Sequence, residues 1–181
     1  MMLDTPYAQQ AQGEIQWLHS QALGCTSILE IGSCYGHSLR LLASAVRVGS
    51  IIRSIDMEVV PGTAEKMRAL MRELRLQGLD TDYRCGDSKS ELSVAWAWQW
   101  APYDLVFIDG DHSYEGVKGD WVRYGPMGRM VAFHDIAHPD HQVKDLWAEI
   151  KAAGCKTEQC VESMMGIGLV RHEAMARARA V

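Results

Sequence analysis

Short apolar bursts alternate with longer segments of helical period along most of the chain. The bursts are "TSILEI" (26–31), "SIIRSI" (50–55), "DYRC" (82–85), "YDLVFI" (103–108) and "RMVAFH" (129–134). Between them, 36–48 sets Leu39, Leu42, Ala45 and Val46 on one face and stops at Gly49. Residues 63–77 space Met67, Leu70, Met71 and Leu74 for a helix that Gly78 ends in the left-handed region. Two further helices are predicted over 89–99 (Leu92, Ala95, Trp96) and 114–124 (Val117, Trp121). Asp140 is the expected N-cap of a helix through "HQVKDLWAEIKAAG", with Val143, Leu146, Trp147 and Ile150 on one side and Gly154 at its end.

Such alternation predicts an α/β fold, with a mostly parallel sheet carrying helices on both faces. The last third breaks the rhythm: "CKTEQCV" and "GIGLVR" flank "ESMM" and read as an antiparallel hairpin. An open sheet of seven strands follows, five reached by helical crossovers and two closing as a C-terminal hairpin. Residues 1–24 are expected to hold an N-terminal helix whose Ile15, Trp17 and Leu18 form an apolar face suited to a homodimer contact, and 172–181 a frayed tail.

Length and composition narrow the class. One domain over 1–181 buries a full core without disulfides or structural metal. The 48% hydrophobic and 23% charged fractions are those of a globular protein. A net charge of -5 with scattered Lys and Arg argues against a nucleic-acid partner. Five cysteines without a C-x-x-C pair fit reduced thiols. The N-terminus lacks the basic start and apolar core of a signal peptide, and no apolar run reaches bilayer length, so a cytoplasmic protein with no membrane partner is expected.

Chemistry concentrates where strands end, which in an open α/β sheet is where ligands bind. The first strand runs into "EIGSCYG", placing Glu30, Gly32, Ser33 and Gly36 before a helix. Glycines there permit a tight turn and bring backbone N–H groups close to a ligand. The G-x-x-x-G spacing lacks the middle glycine of a dinucleotide fingerprint, which disfavours a nicotinamide-dependent dehydrogenase. The Glu30 carboxylate suits a cationic or zwitterionic ligand better than a pyrophosphate. Asp56 and Met57 end the second strand in "SIDM", where an acid accepts ribose hydroxyls, and "CGDS" puts Asp87 and Ser88 where an adenine amino group is read.

A second group of ionisable residues follows the fourth and fifth strands, in "FIDGDHSYEG" and "MVAFHDI". Asp109 and the pair His134 and Asp135 are expected on adjacent strand ends about 5 Å apart, near enough to share one ion. Carboxylates suit Mg2+, and the imidazole makes Mn2+ or another transition ion acceptable. Asp111 and His112 compete for the role of general base: an imidazole titrates near neutrality, whereas a carboxylate needs a buried site to raise its pKa. His138 and His141, flanking Pro139 in a loop over the site, read as surface histidines. The "WAWQW" run (96–100) reads as packing at the sheet edge.

With "EIGSCYG", "SIDM", "CGDS" and "DLVFIDGDH", residues 27–135 resemble the class I S-adenosylmethionine (SAM)-dependent methyltransferases, a Rossmann-like fold. The resemblance implies that Glu30, Gly32, Ser33 and Gly36 hold the methionine part of the cofactor. It likewise implies Asp56 with Met57 at the ribose, Asp87 with Ser88 near adenine, and Asp109 on the cofactor side of the reaction centre. The second group is similar to the divalent-metal-dependent small-molecule O-methyltransferases of catechol and macrolide-sugar type and to the cephalosporin-hydroxylase-like proteins. That similarity implies metal ligation by Asp109, His134 and Asp135, with His112 as the base; His134 departs from the acid usual at its position. The expected function is SAM-dependent O-methylation of a small hydroxylated molecule, assisted by Mg2+ or Mn2+. A metal-independent methyltransferase and a cofactor-binding module without transferase activity stand as alternatives.

Overall fold

The structure is a computed structural model, and residues 12–172 are described. Its elements run α1 (Gln12–Ala22), β1 (Ser27–Ile31), α2 (His37–Ser44), β2 (Ile51–Asp56), α3 (Thr63–Leu76), β3 (Asp80–Cys85) and α4 (Glu91–Trp98). They continue with β4 (Tyr103–Ile108), α5 (Tyr114–Tyr124), a single 3₁₀ turn (Gly125–Met127), β5 (Gly128–His134), α6 (Val143–Ala152), β6 (Thr157–Cys160) and β7 (Ile167–Arg171). Seven strands form one sheet in the order β3-β2-β1-β4-β5-β7-β6. The first five named are parallel, while β7 pairs antiparallel with both β5 and β6. The α/β sheet with a terminal hairpin is the architecture expected from the alternation of the sequence.

Strand periodicity divides the core into two layers. Ile28, Ile52, Leu105, Phe107, Ala132 and Leu169 face α1, α2 and α3, meeting Leu18, Leu39, Leu42, Met67 and Leu70. Leu29, Ile31, Val106, Ile108, Val131 and Phe133 face the opposite layer, where Ala97 of α4, Val117 of α5 and Leu146, Trp147 and Ile150 of α6 cover them. β4 and β5 are apolar on both faces because both are covered, as parallel central strands require.

Several local expectations are corrected. Leu18 is fully buried, and Ile15 and Trp17, partly buried, pack against the same cluster, so the apolar face expected to be exposed is largely engaged within the chain. On α4, Leu92 points to solvent while Ser93 and Ala97 turn inward. Asp140 does not cap α6: that helix begins at Val143 after Gln142, whose backbone N–H is given to the His112 carbonyl (3.0 Å). The α2 helix ends at Ser44, short of the expected 48. The tail beyond His172 lies outside the described residues.

One long-range clamp shapes the site from behind. The buried Glu14 of α1 accepts hydrogen bonds at Oε1 from the backbone N–H groups of Glu162 (2.9 Å), Ser163 (2.9 Å) and Gly166 (3.2 Å) in the β6–β7 turn. That turn in turn braces the segment after β5: Ala137 N donates to Met165 O (2.8 Å) and Ile136 N to Gly166 O (3.4 Å).

Candidate active site

The order of strands reverses between β1 and β4, and a cleft of about 520 Å3 opens at their carboxyl ends. Gly32, Asp56, Met57, Asp87, Ser88 and Asp109 all line it, drawn from four successive strand ends. Backbone hydrogen bonds fix these tips: Gly32 N to Ile55 O (2.9 Å), Asp109 N to Ile31 O (2.8 Å) and Gly86 N to Asp56 O (2.9 Å). Gly32 has φ +85°, and a Cβ there would stand 2.2 Å from the Asp109 carbonyl oxygen, so only glycine lets the two central tips approach this closely.

The Asp56 carboxylate is already oriented, accepting from Cys34 N at Oδ2 (2.9 Å) and Glu58 N at Oδ1 (2.8 Å). Each oxygen retains acceptor capacity beyond that one bond. Asp87 is shaped in the same manner by Lys89 N (2.8 Å). Cys34, Val59, Val60 and Lys89 also line the cleft and were not singled out from the sequence, since none belongs to a strand-end acid or glycine pattern.

Three residues expected at the cofactor are not part of the cleft lining. Glu30 is completely buried beneath the cleft, accepting from the Ser38 hydroxyl, with its Oε2 unpartnered. Burial pushes its pKa up to about 8, against the opposing pull of Ser38. Ser33 is buried in a hydrogen bond with Ser54, and Gly36 backs onto Leu70 and Met67. Of the first glycine loop, Gly32 and Cys34 line the cleft, and these three do not.

At the other end of the cleft the fourth and fifth strand ends converge as expected. His134 Nδ1 lies 3.1 Å from Asp109 Oδ1 and 3.2 Å from Asp135 Oδ1, and the three residues offer ligand atoms within 4.8 Å of one another. Only the Asp109 contact has hydrogen-bond geometry, so Asp135 Oδ1 and His134 Nε2 are buried without partners. Asp135 has φ +62°, a left-handed conformation uncommon for a non-glycine residue that aims its side chain back at the cluster. Burial raises the Asp109 pKa, but His134 and His112 more than offset it and hold the carboxyl below its ordinary range. Burial lowers the His134 pKa, and Asp109 with Asp135 reverses that to leave it raised. The carboxylates and imidazoles thus favour one another's charged forms.

Asp111 and His112 separate clearly. Asp111 accepts from Lys89 Nζ (2.7 Å), Ser113 Oγ (2.7 Å) and Ser113 N (3.0 Å), and its pKa falls to about 2, chiefly through Lys89. His112 faces Asp109 through Nε2 (3.4 Å) and Asp135 through Nδ1 (3.4 Å), and its pKa is raised, chiefly by Asp109. His141, expected on the surface, instead reaches Asp135 Oδ2 with Nδ1 at 2.6 Å.

Fold and site together define a methyltransferase of the SAM-dependent class I type. The chain matches the Methyltransf_24 family, a methyltransferase domain, over residues 29–136, and belongs to that family. None of the curated protein sequences matches it. Among solved structures it is similar to an O-methyltransferase from Bacillus cereus in complex with SAH, at 20% identity and TM-score 0.68, covering 92% of this chain and 84% of that one. It is also similar to the O-methyltransferase TomG from Streptomyces achromogenes, involved in tomaymycin synthesis and solved with SAM (20% identity, TM-score 0.69, 93% and 83% covered). A third is a TDP-rhamnose 3'-O-methyltransferase of calicheamicin biosynthesis (18% identity, TM-score 0.66, 87% and 76% covered). At these identities the likeness is one of fold. Among the described residues, no helix is long and apolar enough to cross a membrane.

Proposed function

We propose that this methyltransferase transfers the methyl group of SAM to a hydroxyl oxygen of a small molecule, with a divalent cation held by Asp109, His134 and Asp135. The observation that carries the reading is the convergence of these ligand atoms at the end of the cleft, with Asp135 Oδ1 buried there without a hydrogen-bond partner. A carboxylate pair with one imidazole fits Mg2+ or Mn2+. The bound cation supplies Lewis acidity that lowers the pKa of an acceptor hydroxyl and a template that orients it. The O-methyltransferase structures to which the chain is similar, two of them with SAM or SAH bound, support the choice of cofactor and of oxygen as acceptor.

The chain's own residues divide the remaining work. Asp56 and Asp87 bind the ribose and adenine ends, and Gly32 lets the methionine end pass over the crossing of β1 and β4. His112 stands beside the ligand set as the base that takes the acceptor proton. Asp111 orients the loop by capping α5 with Ser113 and pairing Lys89. SAM is expected to raise the thermal midpoint: at a hundred times Kd, stabilisation is about 2.7 kcal/mol. For a chain of this length that is a shift of roughly 5–11 °C. No shift at millimolar SAM refutes the cofactor assignment. Turnover on a panel of hydroxylated acceptors that survives thorough chelation refutes the cation.

A further inference from the structure

A second ligand set shares a carboxylate with the first. Asp135 divides its oxygens: Oδ1 faces His134, whereas Oδ2 lies 2.6 Å from His141 Nδ1 and 3.4 Å from His112 Nδ1. His112, Asp135 and His141 offer ligand atoms within 4.8 Å of one another. The two imidazole rings lie 4.4 Å apart, and His138 stacks on His141 at 3.7 Å, which holds that ring in the cluster. The hydrogen bond from Gln142 N to His112 O ties together the two loops that supply the imidazoles. The contacts among Asp135 Oδ2, His112 Nδ1, His138 and His141 use neither Asp109 nor His134, while His112 turns its other nitrogen, Nε2, toward Asp109 (3.4 Å).

We propose that His112, Asp135 and His141 bind a second, transition-metal ion beside the inner one, with Asp135 bridging the two through its separate oxygens. Two imidazoles and one carboxylate suit borderline ions such as Co2+, Ni2+ or Zn2+ and disfavour Mg2+, whereas the inner set, richer in carboxylate, accepts the harder ion. The inference extends past the proposed function and does not depend on a methyl donor or acceptor. It has one consequence for that function: Nδ1 of His112 cannot both ligate an ion and receive a proton, so filling the outer site withdraws the base.

Equilibrium dialysis against Co2+, with metal content measured per chain, tests the inference without reference to turnover. Wild-type protein is expected to bind two Co2+, falling to one when Mg2+ is present in large excess. His141→Ala is expected to bind one that Mg2+ displaces, and His134→Ala one that Mg2+ does not. A single Co2+ in wild type, lost in both variants, overturns the proposal by showing one shared site, and no bound Co2+ overturns it outright. His141 lies in a half-exposed loop, and thermal unfolding checks that its variant is folded. Should it not be, the wild-type stoichiometry and Mg2+ competition decide alone. A SAM-induced thermal shift, measured separately, reports on the proposed function whichever way the metal count falls.

Discussion

Glu30→Gln tests whether a neutral acid sits under the cofactor cleft. The amide keeps the side chain's shape and an oxygen for Ser38, but it cannot ionise. In wild type the folded-state pKa is raised to about 8 from an ordinary 4.5. Below pH 4.5 both folded and unfolded chains carry the proton and its burial costs nothing. As pH rises from there toward 8, the unfolded chain releases the proton while the folded one keeps it. Folding stability therefore falls by about 1.4 kcal/mol per pH unit, to a total on the order of 5 kcal/mol above pH 8. The glutamine variant lacks this slope. Its amide NH2 takes the place of the unpartnered Oε2 and carries one more unmet donor than the O–H of the neutral acid, a pH-independent cost of about 1–3 kcal/mol. The variant is thus expected to melt lower than wild type at pH 5. Wild type then loses roughly 3–5 °C per pH unit relative to it, and the order reverses toward pH 8. Circular-dichroism melts of both proteins at half-unit intervals from pH 5 to 8.5 measure the difference. Parallel curves refute the reasoning, because they mean that Glu30 ionises alike in both states.

Three further substitutions probe the cleft. Gly32→Ala forces a side chain into a left-handed residue and against the Asp109 carbonyl, so a stability loss above about 1–2 kcal/mol is expected together with loss of the SAM-induced thermal shift; a variant with an unchanged shift contradicts the close crossing of β1 and β4. His112→Asn is expected to lower kcat by about 10²–10⁴, as loss of a general base does. Asp111→Asn is expected to cost under about tenfold, since a carboxylate whose pKa is near 2 is a poor proton acceptor; equal losses in steady-state assays reverse the assignment.

The strand ends were legible because apolar runs stop abruptly on ionisable residues, and the sheet forces those stops to one edge. Asp56, Asp109, His134 and Asp135 arrive there as their position after β-branched or aromatic runs implies, while Asp87 follows the more polar β3 (Asp80–Cys85). Glu30 reads as a strand-end acid, but it stands within β1, one residue before the strand ends at Ile31. It therefore lies inside the sheet, on the side of Ile28, facing Ser38 of α2. His141 carried no signal of periodicity: it sits six residues beyond Asp135 in a loop, and its direction is set by the Gln142 hydrogen bond and the stacked His138. Asp140 looked like a cap in sequence, but the same Gln142 contact delays the helix to Val143.

The Glu14 clamp gives the site a chronology. Asp135 emerges during synthesis about 30 residues before Gly166, which at about 5–20 residues per second is a delay of roughly 2–6 s. Until the β6–β7 turn arrives, α1 has no amides to grip, and the segment bearing Asp135 lacks its brace at Ile136 and Ala137. The cofactor half, whose tips end with β4, is complete before the ligand half is fastened. A chain interrupted within β6 therefore already contains all four strand ends that line the cleft and still lacks the turn that braces the segment after Asp135.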